Sequence, residues 1–438
     1  MYPNRRPPTG GRFGMSDPLE TYMMFDGLNA PLRVLQADIV RPVLAPVLAA
    51  WPHHETSDAD KKVAPPFATV APAKDGRWML EAPLAASSTS FHDPIDAICD
   101  LLVEMSWERL RSRPDLLCLH AAAIGFGDRL VIFPNTRRAG KSLLSAALAQ
   151  LGHPVFSDDF VPLAFNPESR KISGIANGIA PRLRLPLPPQ LPTNLSDWIG
   201  ARIGPTNKRY GYLTGIDLPN SGTAAPIGAV VLLDRDDGKT GSACLEPISR
   251  DEAIAALVTQ NFARQVHAGA ILSVIAAISQ AVPLFRLSYS DVSNAAELLH
   301  RNPELTNLPA ATIPPGNSPS TDRPAPLDSE NNPDLSEFDH RQYHTRLPGY
   351  VEVVTEEALY LADAQGWAIH RLNQGSMLIW KLLNEPMSGL ELAELMRDIF
   401  PDIPHQRLLA DAIEALKFLW SHQLIVVQSG TLTSGPKI

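Results

Sequence analysis

The fold is decided by the stretch LHAAAIGFGDRLVIFPNTRRAGKSLLSAALAQLGHPVFSDDFVPL, residues 119–163. Its apolar run Arg129–Phe133 predicts a strand, and the alanine- and leucine-rich segment 141–152 predicts a helix that ends at its glycine. A second apolar run, Pro154–Phe156, predicts another strand. Strand, loop, helix and strand in this order are typical of an α/β fold with a parallel sheet.

The loop between the first strand and the helix predicts a phosphate-binding site. It reads NTRRAGKS and matches G-x-x-x-x-G-K-[ST], except that Asn135 replaces the first glycine. Asparagine tolerates left-handed backbone better than most residues, so the turn can survive the exchange. Backbone N–H groups of the loop and the helix N-terminus would cradle phosphates, Lys141 would reach the terminal ones, and the Ser142 hydroxyl would bind Mg²⁺. The candidate residues for ATP are Asn135, Thr136, Arg137, Arg138, Ala139, Gly140, Lys141 and Ser142.

An acid pair, Asp158-Asp159, follows the second strand. A parallel strand beside the loop would deliver these carboxylates to the metal and the phosphates. The alternative for the whole constellation is a surface turn and an exposed pair of acids. The two arginines inside the loop either steady transferring charge or face water.

Residues 119–163 resemble the catalytic core of HPr kinase/phosphorylase-related serine kinases, and the resemblance extends over about 20–302. The shared features are a histidine before the P-loop strand, the P-loop, a Gly-His pair and an Asp-Asp pair. In this chain they are His120, Asn135–Ser142, Gly152-His153 and Asp158-Asp159.

This resemblance implies roles for the acid pair. One acid would be the general base that takes the proton from a substrate hydroxyl, and the other would support Mg²⁺. We favour Asp158 as the base and Asp159 as the metal partner beside Ser142, with the reverse assignment left open. His120 would orient the base, unless it is a core histidine. The candidate catalytic residues are therefore Asp158, His120 and Lys141.

The stretch GIANGIAPRLRLPLPP, which starts at Gly174, departs from the family because it lacks the glutamate of the family's signature. This departure argues against phosphorolysis, against the family's usual hexamer and against HPr as a substrate, although another homo-oligomer remains compatible with the sequence. Arg182 and Arg184 lie there instead. They would hold a phosphate or a peptide carboxylate, or they are solvated charges on a strand.

The chain is rich in proline, 41 of 438 residues, and prolines cluster late in the sequence. Such segments bury too little apolar surface to offset their ordering entropy. We predict a disordered tail (1–18), a small mixed N-terminal region (19–115), an α/β P-loop kinase domain (116–302), a proline-rich flexible linker (303–345) and a C-terminal domain (346–430).

The sequence of the C-terminal domain predicts three short strands followed by three helices, which is an α+β winged-helix-like arrangement. Its acidic hairpin and the segment from Leu372-Asn373 to Ile379-Trp380 resemble a PqqD-like domain. That resemblance implies capture of a precursor or leader peptide, which would add as a strand to the sheet edge and lean on the adjoining helix. A DNA-binding winged helix is the alternative, but the third helix, His405–His422, carries few bases.

Charge and hydropathy restrict the function classes further. The 47 acidic against 38 basic residues give a net charge of −9, which argues against nucleic-acid binding. The start has no apolar signal region, and the apolar run Ala268–Phe285 is short and interrupted, so we expect a cytoplasmic protein that does not bind membranes. Three distant cysteines indicate neither a disulfide scaffold nor a metal site.

The sequence thus predicts an ATP- and Mg²⁺-dependent serine/threonine-type kinase whose peptide substrate is recruited by the C-terminal domain, in ribosomal-peptide modification. Two alternatives stay open. One is a kinase of a small metabolite with a regulatory C-terminal domain, and the other is a non-catalytic, nucleotide-gated peptide-binding scaffold.

Overall fold

The computed structural model describes residues 20–56, 64–83, 87–134, 139–236, 238, 242–262, 266–314 and 338–428. Within these ranges the chain is a mixed α/β protein whose contacts divide it into two compact units. The first unit comprises Met1–Ser249, Thr259–Ala263 and Ile278–Ile313. The second comprises Arg250–Val258, Arg264–Ala277 and Pro314–Ile438.

The described strands are β1 (Thr21–Phe25), β2 (Leu32–Val34), β3 (His53–Thr56), β4 (Ala68–Pro72), β5 (Trp78–Ala82), β6 (Ser87–Phe91), β7 (Leu117–Leu119), β8 (Ala121–Phe126), β9 (Arg129–Pro134), β10 (Val155–Ser157), β11 (Val161–Phe165), β12 (Ile172–Ile175), β13 (Arg182–Arg184), β14 (Ile203–Thr206), β15 (Tyr210–Leu213), β16 (Ala224–Arg235), β17 (Cys244–Pro247), β18 (Leu284–Tyr289), β19 (His344–Arg346), β20 (Val351–Val354), β21 (Ala358–Ala362), β22 (Ile369–Asn373) and β23 (Ile425–Val427). The described helices are α1 (Ala37–Val47), α2 (Pro94–Ser112), α3 (Lys141–Gln150), α4 (Thr193–Gly200), α5 (Arg250–Gln260), α6 (Ala268–Ala281), α7 (Val292–Arg301), α8 (Gln374–Leu382), α9 (Gly389–Ile399) and α10 (His405–Ser421).

A six-stranded sheet in the order β3-β1-β2-β4-β5-β6 opens the first unit. Helix α2 packs against it with Ile95, Ile98 and Leu101, which recur at helical spacing and are buried. The helix starts at Asp93, whose side chain accepts a hydrogen bond from the Ile95 N–H at 2.8 Å.

The central sheet of the first unit has nine strands and places the loop of interest. Its order is β10-β8-β9-β16-β12-β11-β7, with β18 paired to β16 and β17 to β18. Strands β9, β16 and β18 are parallel, so their carboxyl ends lie at one edge, where α/β proteins bind ligands. The predicted strand after α3 exists as β10, but it pairs antiparallel with β8. Because β8 lies between them, β10 does not adjoin β9 as the sequence predicted.

Helix α5 ends at Gln260, where the backbone begins to pair with β7 and the residue that follows it. The His120 N–H donates to the Gln260 carbonyl at 2.8 Å, and the Phe262 N–H donates to the Cys118 carbonyl at 3.1 Å. The backbone of residues 260–262 is thereby fixed beside His120.

The second unit is built on the antiparallel sheet β20-β21-β22, with helices α8–α10 and a strand pair β19-β23. Every residue of β21 is buried. The start of α5 belongs to this unit, where Arg371 Nη2 lies 2.8 Å from the Asp251 carboxylate and Tyr360 Oη donates to the Asp251 carbonyl at 3.1 Å. Three strands before three helices match the predicted order, and the winged-helix assignment stays a prediction.

Two helix starts in the second unit confirm their sequence signals. Asn373 caps α8 by accepting the Ser376 N–H at 2.9 Å. Ser388 and Glu391 form a capping box at the start of α9. Strand β22 runs directly into Asn373, the cap of α8.

Both ends of the predicted linker pack against a unit. Residues 303–313 carry the buried Leu305 and Ala311, and the Ala311 N–H donates to the Ile227 carbonyl at 2.8 Å. Near the other end, Phe338 contacts the rings of His344 and Trp420. Residues 315–337 of the predicted linker lie outside the described residues.

Helix α6 contains most of the long apolar run, and its residues are largely buried. In the described ranges, no helix has both the length and the apolar character that crossing a membrane requires.

Candidate active site

The start of α3 has a backbone that only glycine adopts without strain. Gly140 caps the helix with a φ of 91°, in the left-handed region. A Cβ there would lie 2.7 Å from Tyr289 Oη, which itself donates to the Ala139 carbonyl at 3.3 Å. Tyr289 ends β18, so a neighbouring strand fixes the turn that precedes α3.

Lys141, the first residue of α3, is buried, with 7% of its surface exposed. Burial lowers the pKa of its ammonium, and the charges of Asp159 and Asp158 oppose this effect. A lysine held inside the protein near two carboxylates is placed to neutralise an anion that binds at the helix N-terminus.

The acid pair lies on a tight turn between β10 and β11. Ser157 Oγ donates to the Phe160 carbonyl and accepts the Asp159 N–H at 3.2 Å. Buried Asn177 braces the same turn, because its amide donates to Ser157 Oγ at 3.2 Å and accepts the Ile179 N–H at 3.0 Å. Asn177 was not among the predicted site residues. It lies 20 residues from Ser157 in a stretch with no recognisable pattern.

Asp158 points into the protein, with 6% of its surface exposed. Its carboxylate accepts a hydrogen bond from the Ser142 hydroxyl and another from the Arg182 N–H at 3.1 Å. Burial, and next the charge of Asp159, raises the pKa of this carboxyl to about 6, although both hydrogen bonds act in the opposite direction.

Asp159, by contrast, has 54% of its side chain exposed. Its Oδ1 lies 3.0 Å from His120 Nε2. The protein atoms around the carboxylate would raise its pKa, but the hydrogen bond with His120 and the charges of Arg182 and Lys141 outweigh that effect, so the pKa is lowered. Asp159 is therefore the more acidic and the more accessible member of the pair.

Arg182 contacts both acids. Its N–H binds Asp158, and its Nη2 lies 3.8 Å from Asp159 Oδ2. The guanidinium stacks over the Tyr210 ring, 5.0 Å from its centre. Arg184, the second predicted arginine, is exposed on the same strand, β13.

His120 is held at both ring nitrogens. Nδ1 lies 3.0 Å from Gln260 Oε1, while Nε2 faces Asp159. Gln260 is 140 residues from His120 in the sequence, so no local motif could reveal it.

The structure therefore brings together His120, Lys141, Ser142, Asp158 and Asp159 at the carboxyl edge of the parallel strands, together with Ala139 and Gly140. The remaining predicted loop residues, Asn135, Thr136, Arg137 and Arg138, lie outside the described residues. The Gly-His pair serves elsewhere, because His153 Nδ1 contacts the Gly125 carbonyl at 2.9 Å and Nε2 contacts His300.

The described residues fit a magnesium–nucleotide. A left-handed glycine at the helix N-terminus, then lysine and serine, provides N–H groups and a cation for phosphates. Ser142 and Asp158 are oxygen donors in direct contact. No group of three or more His, Cys, Asp or Glu side chains in the described ranges is placed to hold a metal. Magnesium suits such a site, because it takes one or two protein oxygens and fills its shell with phosphates and water.

Comparison with known proteins does not assign this chain to a family. No protein-family model and no curated protein matches the sequence. One solved structure with a detectable likeness is the HPr(Ser) kinase/phosphatase from Coxiella burnetii, at 14% identity, covering 42% of this chain and 91% of that chain, with a TM-score of 0.21. At this TM-score the likeness does not establish a shared fold.

Proposed function

We propose that the chain is an ATP-dependent phosphotransferase that phosphorylates a hydroxyl group. One observation carries the proposal: neighbouring acids of a single turn differ in burial and in hydrogen-bond partners beside the start of α3. Asp158 is buried against Ser142, and Asp159 is exposed beside His120. Metal binding and proton abstraction need two such environments.

This geometry favours the reverse of the acid roles preferred from the sequence. Asp158 and Ser142 would hold Mg²⁺, which when bound neutralises charge on the phosphates. Asp159 is the base, since it is ionised and accessible. It accepts the hydroxyl proton as that oxygen bonds to the γ-phosphorus of ATP, and the bond to the bridging oxygen breaks to release ADP. Lys141 stabilises the charge that develops on the transferred group.

The acceptor is proposed to be a serine or threonine of a peptide recruited by the second unit. The edge strand β22 pairs only with β21 among the described strands, so a peptide could add along its free side. Trp367 and Phe418, both among the exposed large hydrophobic residues of the described chain, would provide apolar contacts near that edge. This role extends the PqqD-like resemblance, and a precursor peptide of ribosomal-peptide modification is the substrate that it implies.

Transfer of radiolabel from γ-labelled ATP tests the reaction. We expect magnesium-dependent labelling of serine- and threonine-containing peptides, with Asp159→Asn lowering the rate at least a hundredfold, because general-base catalysis contributes about 10²–10⁴. Asp128→Asn is the matched control, because Asp128 is exposed on the turn between β8 and β9.

The outcomes separate the rival functions. Labelling of a small metabolite instead of any peptide would identify a metabolite kinase. Nucleotide binding without turnover, unchanged by Asp159→Asn, would identify a scaffold and refute the phosphotransferase proposal.

A further inference from the structure

We propose that Gln260 is a positioning residue for this reaction, which holds His120 so that its Nε2–H points at Asp159. The inference rests on the proposed function for its catalytic meaning. It stands on contacts that the sequence does not reveal, since Gln260 ends α5, far along the chain from β7 and the acid pair.

The position of Gln260 is set by its backbone. Its carbonyl accepts the His120 N–H at 2.8 Å, and Asn261 forms a bridge with Leu119. The Phe262 N–H extends this pairing to Cys118. Because these bonds use main-chain atoms, a substitution of the Gln260 side chain leaves the local fold in place.

The side chain completes the support. Gln260 is buried, with 8% of its surface exposed, and its Oε1 lies 3.0 Å from His120 Nδ1. The opposite nitrogen, Nε2, lies 3.0 Å from Asp159 Oδ1. A ring held at both nitrogens cannot turn without breaking a hydrogen bond.

The hydrogen-bond donors and acceptors of His120 explain why an amide side chain suits position 260. An ionised Asp159 only accepts, so Nε2 of His120 must carry a hydrogen. If the ring is neutral, Nδ1 is bare and the amide must present its NH₂ group. If the ring is protonated, Nδ1–H needs an acceptor, and the same amide turned by half a rotation presents Oε1.

Glutamine therefore keeps His120 aimed at Asp159 in either protonation state. A glutamate side chain can only accept a hydrogen bond from Nδ1, and a leucine side chain can neither accept nor donate one. Asp159, in contact with Nε2 of His120, in turn keeps one orientation toward the acceptor hydroxyl. That constancy is the physical reason why a proton-transfer step would need the residue.

The test compares Gln260→Leu and Gln260→Glu with the matched control Asn261→Leu. The Asn261 Oδ1 has no hydrogen-bond partner among the described residues, so its loss should leave His120 alone. The full chain carries 12 histidines, and labelling them with ¹⁵N allows two-bond ¹H–¹⁵N spectra to report which ring nitrogen holds hydrogen. His120→Gln assigns the signal, and magnesium-dependent ATP turnover is measured in parallel.

We expect a protonated Nε2 for His120 in the wild type and in Asn261→Leu. In Gln260→Leu the ring has lost one of its two partners and turns away from Asp159, so both tautomers appear. Gln260→Glu keeps an acceptor at Nδ1 and with it the wild-type hydrogen at Nε2. Turnover by Gln260→Leu should fall about tenfold to a hundredfold, as for other orienting partners of histidines, with the KM for MgATP changed less than twofold. Gln260→Glu should retain more activity than Gln260→Leu.

An unchanged His120 signal in Gln260→Leu would overturn the proposal, and so would unchanged turnover. If the wild type does not turn over MgATP, the proposed function fails, and the tautomer spectra alone decide whether Gln260 orients His120.

Discussion

At the scale of single residues, the surroundings of each acid in the site determine its pKa. Asp158 and Asp159 are the same residue type on one turn, yet burial raises the pKa of the first to about 6 and hydrogen bonding lowers the pKa of the second. A sequence shows two identical letters and cannot separate them. For that reason the roles preferred from the sequence are reversed in the proposed mechanism.

The raised pKa of Asp158 predicts a pH-dependent stability. Ionising a group whose pKa is about 6 in the folded state and 3.8 ordinarily costs the folded protein up to roughly 3 kcal/mol. This cost is absent below pH 3.8 and complete above pH 6. Asp158→Asn should therefore raise the melting temperature of the nucleotide-free protein at pH 8, with a smaller gain at pH 4.5, as calorimetric scans would show.

Asp159→Asn is the opposite case. Its lowered pKa means that the ionised form stabilises the fold, and this contribution is present at pH 8 and lost as the pH falls through the folded-state pKa. We expect this variant to melt at a lower temperature at pH 8. Equal shifts of the same sign in both variants would show that the two acids do not differ in environment.

Gly140 gives a second prediction at this scale. Alanine there faces a left-handed φ, worth roughly 1–2 kcal/mol, and a Cβ 2.7 Å from Tyr289 Oη. Gly140→Ala should weaken ATP binding at least tenfold by calorimetry. Gly152→Ala is the control: its φ is 88°, but no atom lies within 4 Å of the added Cβ, so it should cost stability without weakening binding. Equal loss of affinity in both would refute the steric explanation.

At the scale of elements, the local signals were sufficient for the helix and strands that carry the motifs. The apolar run before the loop is β9, and Lys141 does open α3. Partners between strands could not be read from the same signals, because pairing depends on contacts between distant residues. The sequence therefore missed that β8 separates β9 from β10, and that Asn177 and Gln260 complete the site.

The hydrogen bonds of Asn177 to the turn between β10 and β11 predict that its replacement destabilises the fold. Asn177→Ala removes a buried amide that serves Ser157 and Ile179, which should lower the free energy of unfolding by about 1–3 kcal/mol. Denaturant titration measures this loss. Asn166→Ala, in the exposed turn where its side chain accepts the Ser169 N–H, should cost less than about 1 kcal/mol. A neutral Asn177→Ala would mean that Ser157 alone holds the turn.

At the scale of the whole molecule, the second unit is assembled from separate parts of the sequence. Arg250–Val258 and Arg264–Ala277 cluster with the C-terminal residues. Within that unit Asp251 bonds to Arg371, and the Ala268 N–H donates to the Gly366 carbonyl at 2.7 Å. Composition revealed the proline-rich stretch at 303–345, but composition carries no information on which helices a later sheet recruits.

This assembly predicts that a chain cut between the described ends 314 and 338 stays together. Fragments 1–314 and 338–438, co-expressed with a tag on one, should copurify and coelute at moderate salt. Arg371→Met should weaken their association, because it leaves Asp251 buried without its cation. Arg397→Met in α9 serves as the control. Separate elution of the unmodified fragments would contradict the prediction.

Calorimetric titration of MgATP into the full chain tests the central claim most directly. The phosphate site at α3 predicts one binding event per chain, weakened at least tenfold by Lys141→Met, which preserves the buried packing but removes the charge. Lys381→Met, on the exposed side of α8, should bind as the wild type does. No heat of binding from the wild type, or equal affinity in Lys141→Met, would contradict the account.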